Sequence, residues 1–411
     1  MIEIMSPVGS YESLMAAIQA GASSVYFGVG KMNMRSRSSA NFTLADLQKI
    51  IQICCDHNVY SYLTVNTIIY NDEINEMHQL LNAAKKQGIS AIIASDWAVI
   101  DYCQKIGLEI HLSTQCNVTN IEAVRFFARF ADVIVLGREV NLRQVADITK
   151  IIREEEIRGP KGELVRIEMF IHGALCMAIS GKCYLSLDNF NYSANRGACL
   201  QPCRRGYLVK DIDHEIELAI ENQYIMSPKD LCTIGFLDKI LKAGVTVLKI
   251  EGRGRSAEYV KMVTQCYHEA ISSIQTGEYT LEKVEKWTTC LRSVYNRDFW
   301  DGYYLGRTMG EWSARYGSQA TRVKEFIGKV TNYFGQLGVA EITIETGEIS
   351  VEDTLLITGP TTGVVECQIS EIRVDLQPVA TARKGIPCSV ITPELVRRGD
   401  KVYLWKEVIE E

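Results

Sequence analysis

The chain predicts a TIM-type (β/α)8 barrel carrying an inserted cysteine-rich segment after strand 7, followed by a small C-terminal antiparallel β-barrel domain. Three observations predict it. Eight short apolar segments alternate with amphipathic stretches, the beat of βα units around a parallel sheet. One connection, of roughly fifty residues after the seventh segment, is far longer than an ordinary βα link of about 2–6 residues. Beyond Gly317 the texture changes to short alternating strands parted by turn pairs.

The strands expected in order are Ile2–Met5, Ser24–Gly28, Tyr60–Val65, Ala91–Ala94, Glu109–Leu112, Asp132–Leu136, Val165–Ile171 and Thr246–Ile250. Helical patterns fall between them at Tyr11–Ala20, Leu44–His57, Asp72–Gln87, Trp97–Ile106, Ile121–Phe130 and Leu142–Glu155, with Gly21, Gly88 and Gly107 as stops. A helix over Asp230–Ala243 and a long one over Ser256–Thr276 complete the barrel, predicted to occupy residues 1–317 with the cysteine-rich insertion at 173–229. The β-domain is expected over 326–411, with Thr346-Gly347, Gly359-Pro360 and Arg398-Gly399-Asp400 as turns.

The 411 residues are 47% hydrophobic and 23% charged, the balance of an ordinary soluble globular chain. The opening MIEIMSPVGS has no basic segment leading into an apolar one, and no stretch has the uncharged length of a membrane span, so a cytoplasmic protein without a membrane partner is expected. In a reducing compartment the 13 cysteines do not form a disulfide framework; clustered ones point to metal or catalysis, scattered ones to core filling. A net charge of −6 argues against coating nucleic acid through a general positive field, while leaving room for a local basic face around Arg196, Arg204, Arg205, Arg253 and Arg255, or the stretch Arg315, Arg322, Lys324 and Lys329, any one of which read alone is ordinary solvated surface charge.

Cys176, Cys183, Cys199 and Cys203 follow the spacing C-x6-C-x15-C-x3-C directly after the seventh strand, which topology places at the C-terminal mouth where barrel active sites are built. The spacing alone leaves several metals open. Only Cys199-x3-Cys203 has the form of a zinc knuckle, the compact runs of ferredoxins are absent, and Cys232 in SPKDLC is a substitute ligand at the start of the expected helix. The residues that follow the strands form a polar, convergent set: Ser6-Pro7-Val8-Gly9, Gly28, Asn66, Asp96, Ser113-Thr114-Gln115, Arg138, His172 and Glu251-Gly252-Arg253. Glu168 and His172 lie four apart in one strand and, on a two-residue period, share a face; they form an acid–base pair, or His172 orients a substrate oxygen, or Glu168 is a buried carboxylate satisfied by Arg166 or Lys249 with His172 a hydrogen-bonded strand end. No G-x-S-x-G, H-E-x-x-H, Walker loop or dinucleotide fingerprint is present.

IEMFIHGALCMAISGKCYLS closely resembles the signature of the U32 family, historically called collagenase-like peptidases. NRGACLQPCRR, SPKDL, LKIEGRGRSAEYV, the opening SPVGSYESLMAAIQAGASSVYFG and MRSRSSANFT are similar to the family too, so the resemblance spans essentially the whole chain. It implies an oxygen-independent hydroxylase carrying a [4Fe-4S] cluster on Cys176, Cys183, Cys199 and Cys203, with Cys232 as the alternative fourth ligand. Branches of the family act on the wobble uridine of tRNA with prephenate as hydroxyl donor, on a cytidine of ribosomal RNA, or on a quinone precursor. Cys203 makes the tRNA branch the expectation, with the anticodon loop as macromolecular partner. Prephenate carries two carboxylates, so Arg35, Arg37, Arg138 and Arg253 become its candidate ligands, with Asn66 and Gln115 beside them. Glu168, His172 and Glu251 are left for proton transfer. The rival classes are a peptidase, as the family name says, and an iron–sulfur protein serving another subunit; homo- and hetero-oligomers both stay open.

Overall fold

A computed structural model describes residues 2–37, 42–207, 226–307 and 310–408. Eight parallel strands close into a barrel: β1 (Glu3–Pro7), β2 (Ser24–Gly28), β3 (Tyr60–Val65), β4 (Ala91–Ala94), β5 (Ile110–Leu112), β6 (Val133–Val135), β7 (Arg166–Gly173) and, after a short β8 (Asp230–Cys232), β9 (Val247–Ile250). Closure comes from β9, which pairs in parallel with both β7 and β1. All eight strands of the barrel stand where the alternation of apolar and amphipathic segments predicts them.

Several of the helices begin on side-chain caps that the sequence supplies. The helices are α1 (Tyr11–Gln19), α2 (Asp46–Asp56), α3 (Ile74–Gln87), α4 (Trp97–Ile106), α5 (Ile121–Phe127), α6 (Leu142–Glu154), α7 (Leu185–Phe190), α8 (Leu237–Lys242), α9 (Ala257–Thr276) and α10 (Leu281–Ser293). Ser10, Asp96, Asn120 and Asn141 each accept a hydrogen bond from a backbone N–H of the first turn, satisfying donors the helix itself leaves unpaired. The apolar faces of these helices, α7 excepted, meet the outer face of the barrel in one continuous core, while Met5, Tyr26, Tyr62, Ala91, Ile93, Val133 and Val247 form a separate cluster, the layer that fills the barrel interior.

Two departures from expectation occur around β7. Asp230–Cys232 is a strand, and the helix expected over Asp230–Ala243 is confined to Leu237–Lys242. β7 is the longest barrel strand, and its overhanging end needs partners: His172 and Gly173 pair antiparallel with Cys232 and Leu231, and Phe299–Trp300, β10, pairs with β8 in turn. The second departure is a bulge. Glu168, Met169 and Phe170 pair in step with Val247, Leu248 and Lys249, but the register slips by one residue before His172 meets Ile250. The slip reverses the facing of everything beyond it.

After α10 the chain builds an antiparallel eight-stranded sheet whose first strand, Arg322–Phe334, starts four residues before the expected Phe326, together with a two-stranded sheet of Glu348–Ser350 and Thr381–Arg383. Ile327, Ile342, Leu355, Ile357, Val390 and Val402 belong to its own core. Leu356, Val364 and Trp405 instead join the core of the barrel. The Gln19 side-chain amide, from α1, donates to the Thr362 carbonyl (2.8 Å) and accepts from the Val364 N–H (3.2 Å). No helix among the described residues is long and apolar enough to cross a membrane.

Candidate functional site

A cavity opens at the C-terminal mouth of the barrel, floored by strand ends and roofed by the segment after β7. Cys176, Cys183, Cys199 and Cys203 all line it, and all four are free thiols. The segment is tied down by specific bonds. Arg204 donates to the carbonyls of Leu175 and Pro228, Arg196 forks onto the Glu73 carboxylate, and the Ser36 hydroxyl donates to the Gly197 carbonyl. At Gly197, φ +77°, a Cβ would strike the Asn33 carbonyl oxygen, so the roof reaches the floor only because this residue has no side chain.

Opposite the thiols lies a cationic cluster around one carboxylate. Arg35 donates to Glu251 at 2.7 Å. Arg253, 6% exposed, donates to Asn33 (3.1 Å) and Thr64 (2.7 Å), and Arg138 lies 3.9 Å over the Phe170 ring with one N–H on the Ala174 carbonyl. The Nε atoms of Arg138 and Arg253 are buried and have no hydrogen-bond partner, so each guanidinium retains an unmet donor. Burial opposes ionisation of Glu251, but Arg35, Arg138 and Arg253 outweigh it and hold this carboxyl down at about 2. Glu251 is therefore held as an anion among these arginines, inside the cavity where the sequence places it. Asn66 and Gln115 bond to one another, Nδ2 to Oε1 at 3.2 Å, and line the same cavity.

The expected acid–base pair is not assembled. Beyond the bulge, His172 faces outward onto α9 and β10, 1% exposed, with its ring 5.4–6.0 Å from those of Tyr259, Tyr267 and Phe299. Burial pushes its imidazole down to about 3, so it is neutral at ordinary pH and outside the cavity. Glu168 points into the barrel below the cavity floor, where its carboxylate takes a hydrogen bond from Lys249 at 2.6 Å; Arg166 is committed to Glu3. Of the two sequence readings of Glu168, the paired buried carboxylate is the one observed. Lys249 itself lines the cavity, a role that a lone lysine inside the apolar strand VLKI signals. Tyr26, whose hydroxyl donates to the Ile250 carbonyl (2.8 Å), is a second lining residue that sequence reasoning passed over, hidden among the apolar residues of β2. Beneath them His111 stands fully buried between two carboxylates, its Nε2 3.4 Å from Glu109 and its Nδ1 3.9 Å from Glu168.

Cys232 is not among the cavity thiols; it pairs with His172 in the β8–β7 ladder, 4.0 Å from the Tyr267 hydroxyl. Arg37 lies outside the inner cavity, stacked at 4.5 Å on Tyr192 and lining an adjoining cleft with Arg35, Cys199, Glu251 and Arg255. Among the described residues no three of His, Cys, Asp and Glu stand at the spacing of a single bound ion.

The sequence model for Peptidase family U32 matches residues 9–314. A protein named collagenase from Porphyromonas gingivalis is 59% identical over 401 residues, covering 98% of this chain and 97% of that protein. The tRNA hydroxylation protein P1 of Bacillus subtilis is 30% identical over 80% of this chain and 77% of its own length. The 23S rRNA 5-hydroxycytidine C2501 synthase of Escherichia coli is 32% identical over 66% of this chain, a match that spans 40% of that longer protein. With the family model covering most of the barrel and these relatives matching it, the chain belongs to peptidase family U32.

Proposed function

We propose that this protein is an iron–sulfur-dependent RNA hydroxylase that forms 5-hydroxyuridine at the tRNA wobble position with prephenate as the hydroxyl donor. One observation carries the reading: four free thiols and the arginines Arg35, Arg138 and Arg253 share a single cavity at the barrel mouth. The donor set suits a [4Fe-4S] cluster better than zinc, because a tetrahedral ion draws its four ligands to within about 2.3 Å of one centre, whereas each thiolate of a cubane bonds a different iron. When bound, such a cluster would supply one-electron transfer. The chain's own part is to hold carboxylates and exclude water. Arg138 and Arg253, with their unmet donors, meet a dicarboxylate in forked geometry, Glu251 keeps Arg35 in place, and Lys249 presents an ammonium from the floor. An unpaired anticodon base suits entry through a mouth of this kind, since it can be splayed from its neighbours without breaking a helix. The names of the two RNA-acting relatives support RNA as acceptor.

A peptidase is the second reading, favoured by the name of the 59% identical relative. Against it, the two strand histidines His111 and His172 do not line the cavity, so a thiol nucleophile there has no imidazole beside it from either. Deleting the gene and measuring wobble nucleosides by mass spectrometry tests the first reading: 5-hydroxyuridine is expected to disappear. Anaerobically purified protein that contains no iron or sulfide yet cleaves gelatin would establish the second.

A further inference from the structure

The cleft beside the thiol cavity has a different character. It shares Arg35, Ala174, Cys199, Gln201 and Glu251 with the inner cavity and adds Arg37, Leu200, Arg255 and the glycines 252 and 254. The inner arginines are engaged: Arg35 with Glu251, Arg253 with Asn33 and Thr64, Arg138 with Ala174. Arg37 and Arg255 are not; among the described residues neither forms an ion pair with a carboxylate. Among the described residues that line the cleft the carboxylate is Glu251, and it is already neutralised by Arg35 at 2.7 Å.

Both outer arginines are nonetheless held in place. Arg37 lies 4.5 Å over the Tyr192 ring and Arg255 lies 3.5 Å over the Tyr295 ring. Stacking fixes the plane of a guanidinium while leaving its N–H edge free, which lowers the entropy lost when that edge takes a ligand. A cation fixed but unpaired in a protein of net charge −6 is set up for an anion supplied from outside. Two such groups, carried by different elements, the loop after β2 and the loop after β9, suit successive anionic groups of one extended molecule.

We propose that Arg37 and Arg255 form a phosphate-binding subsite for the backbone of a polyribonucleotide, separate from the inner cavity that takes the reacting groups. The proposal rests on the RNA-hydroxylase reading and deepens it: the cleft grips the strand, and the adjoining cavity receives the extruded base. It also removes Arg37 from the set that binds the small donor.

The test is salt-dependent binding of a synthetic anticodon stem–loop to the full chain, comparing the unaltered protein with Arg37→Gln, Arg255→Gln, the double variant, and Arg→Lys at each site. Each Gln change is expected to weaken binding roughly tenfold. Each lost phosphate contact on a single strand lowers the slope of log K against log salt by ~0.7, so the double variant loses ~1.4. The Lys variants keep the slope, which separates charge from misfolding. Unaltered protein that binds the stem–loop, with a double variant of undiminished slope, overturns the subsite alone. Weaker binding of prephenate with an intact RNA slope also overturns it and gives these arginines to the donor. An unaltered protein that fails to bind the stem–loop overturns the RNA reading together with the subsite.

Discussion

Lys249 stands inside an otherwise apolar strand, 5% exposed, with its ammonium 2.6 Å from the fully buried Glu168. Removing one partner of such a pair leaves an uncompensated buried charge, a cost of about 3–5 kcal/mol, whereas replacing both is nearly neutral. Lys249→Met is therefore expected to lower urea stability by about 3 kcal/mol, and adding Glu168→Gln to recover most of that loss. A double variant no more stable than the single would show that the pair is not what holds this layer. His172 makes a second prediction. Burial depresses its folded pKa to about 3, so from the ordinary value of 6.5 downward the unfolded chain binds the proton that the folded chain refuses. Stability consequently falls as pH falls from about 6.5 towards 3, by up to about 1.4 kcal/mol per unit for this one group. Glu251 contributes in the same direction at lower pH, because its depressed carboxyl stabilises the fold above its unfolded value of 4.5 and ceases to as pH drops to about 2. Urea titrations at pH 7, 6 and 5 are expected to show the decline in the unaltered protein and a flatter profile in His172→Gln, where an equal slope in both would remove His172 as its source.

At the scale of elements, the segment after β7 is seated by backbone geometry as much as by its ligating residues. Gly197→Ala places a methyl against the Asn33 carbonyl at a positive φ, a strain of about 1–3 kcal/mol that the roof relieves by lifting. The expected result is less iron and sulfide per chain after anaerobic purification, with the far-ultraviolet dichroism of the barrel unchanged; full cluster loading in this variant would mean that the roof tolerates the methyl. Why this region was only half legible follows from its residues. The eight barrel strands announced themselves because each is a short apolar run ended by a glycine or polar cap, a purely local signal. The four cavity cysteines were legible as a cluster for the same reason. The facing of His172 was not, because one extra residue between Phe170 and His172 reverses the two-residue period, and a bulge leaves no mark in composition. Asp230–Cys232 misled in the same way: DLC runs into a helical pattern, and only the unpaired end of β7 makes it a strand. Arginine pairings were equally out of reach, since Arg35 and Glu251 are 216 positions apart.

For the whole molecule, the informative contact is the one between the two regular bodies. The C-terminal sheet has a core of its own, yet Leu356, Val364 and Trp405 are buried in the core of the barrel, and Lys324 pairs with Glu258 of α9 at 2.9 Å. Burying a large apolar side chain is worth about 1.5–3 kcal/mol, so three of them couple the two bodies strongly enough for heat to unfold them together. The weak point is Gly363. Its φ is +69°, and the space a Cβ would take is occupied by the Gln19 side chain, the same amide that clamps Thr362 and Val364. Gly363→Ala must either displace Gln19 or distort the turn, and both options open the contact without touching the cavity at the barrel mouth. Scanning calorimetry is expected to give one transition for the unaltered protein and two for Gly363→Ala, the sheet and the barrel melting apart. A variant that keeps a single transition at the original temperature would place the coupling elsewhere, on the Leu356 and Trp405 side of the contact.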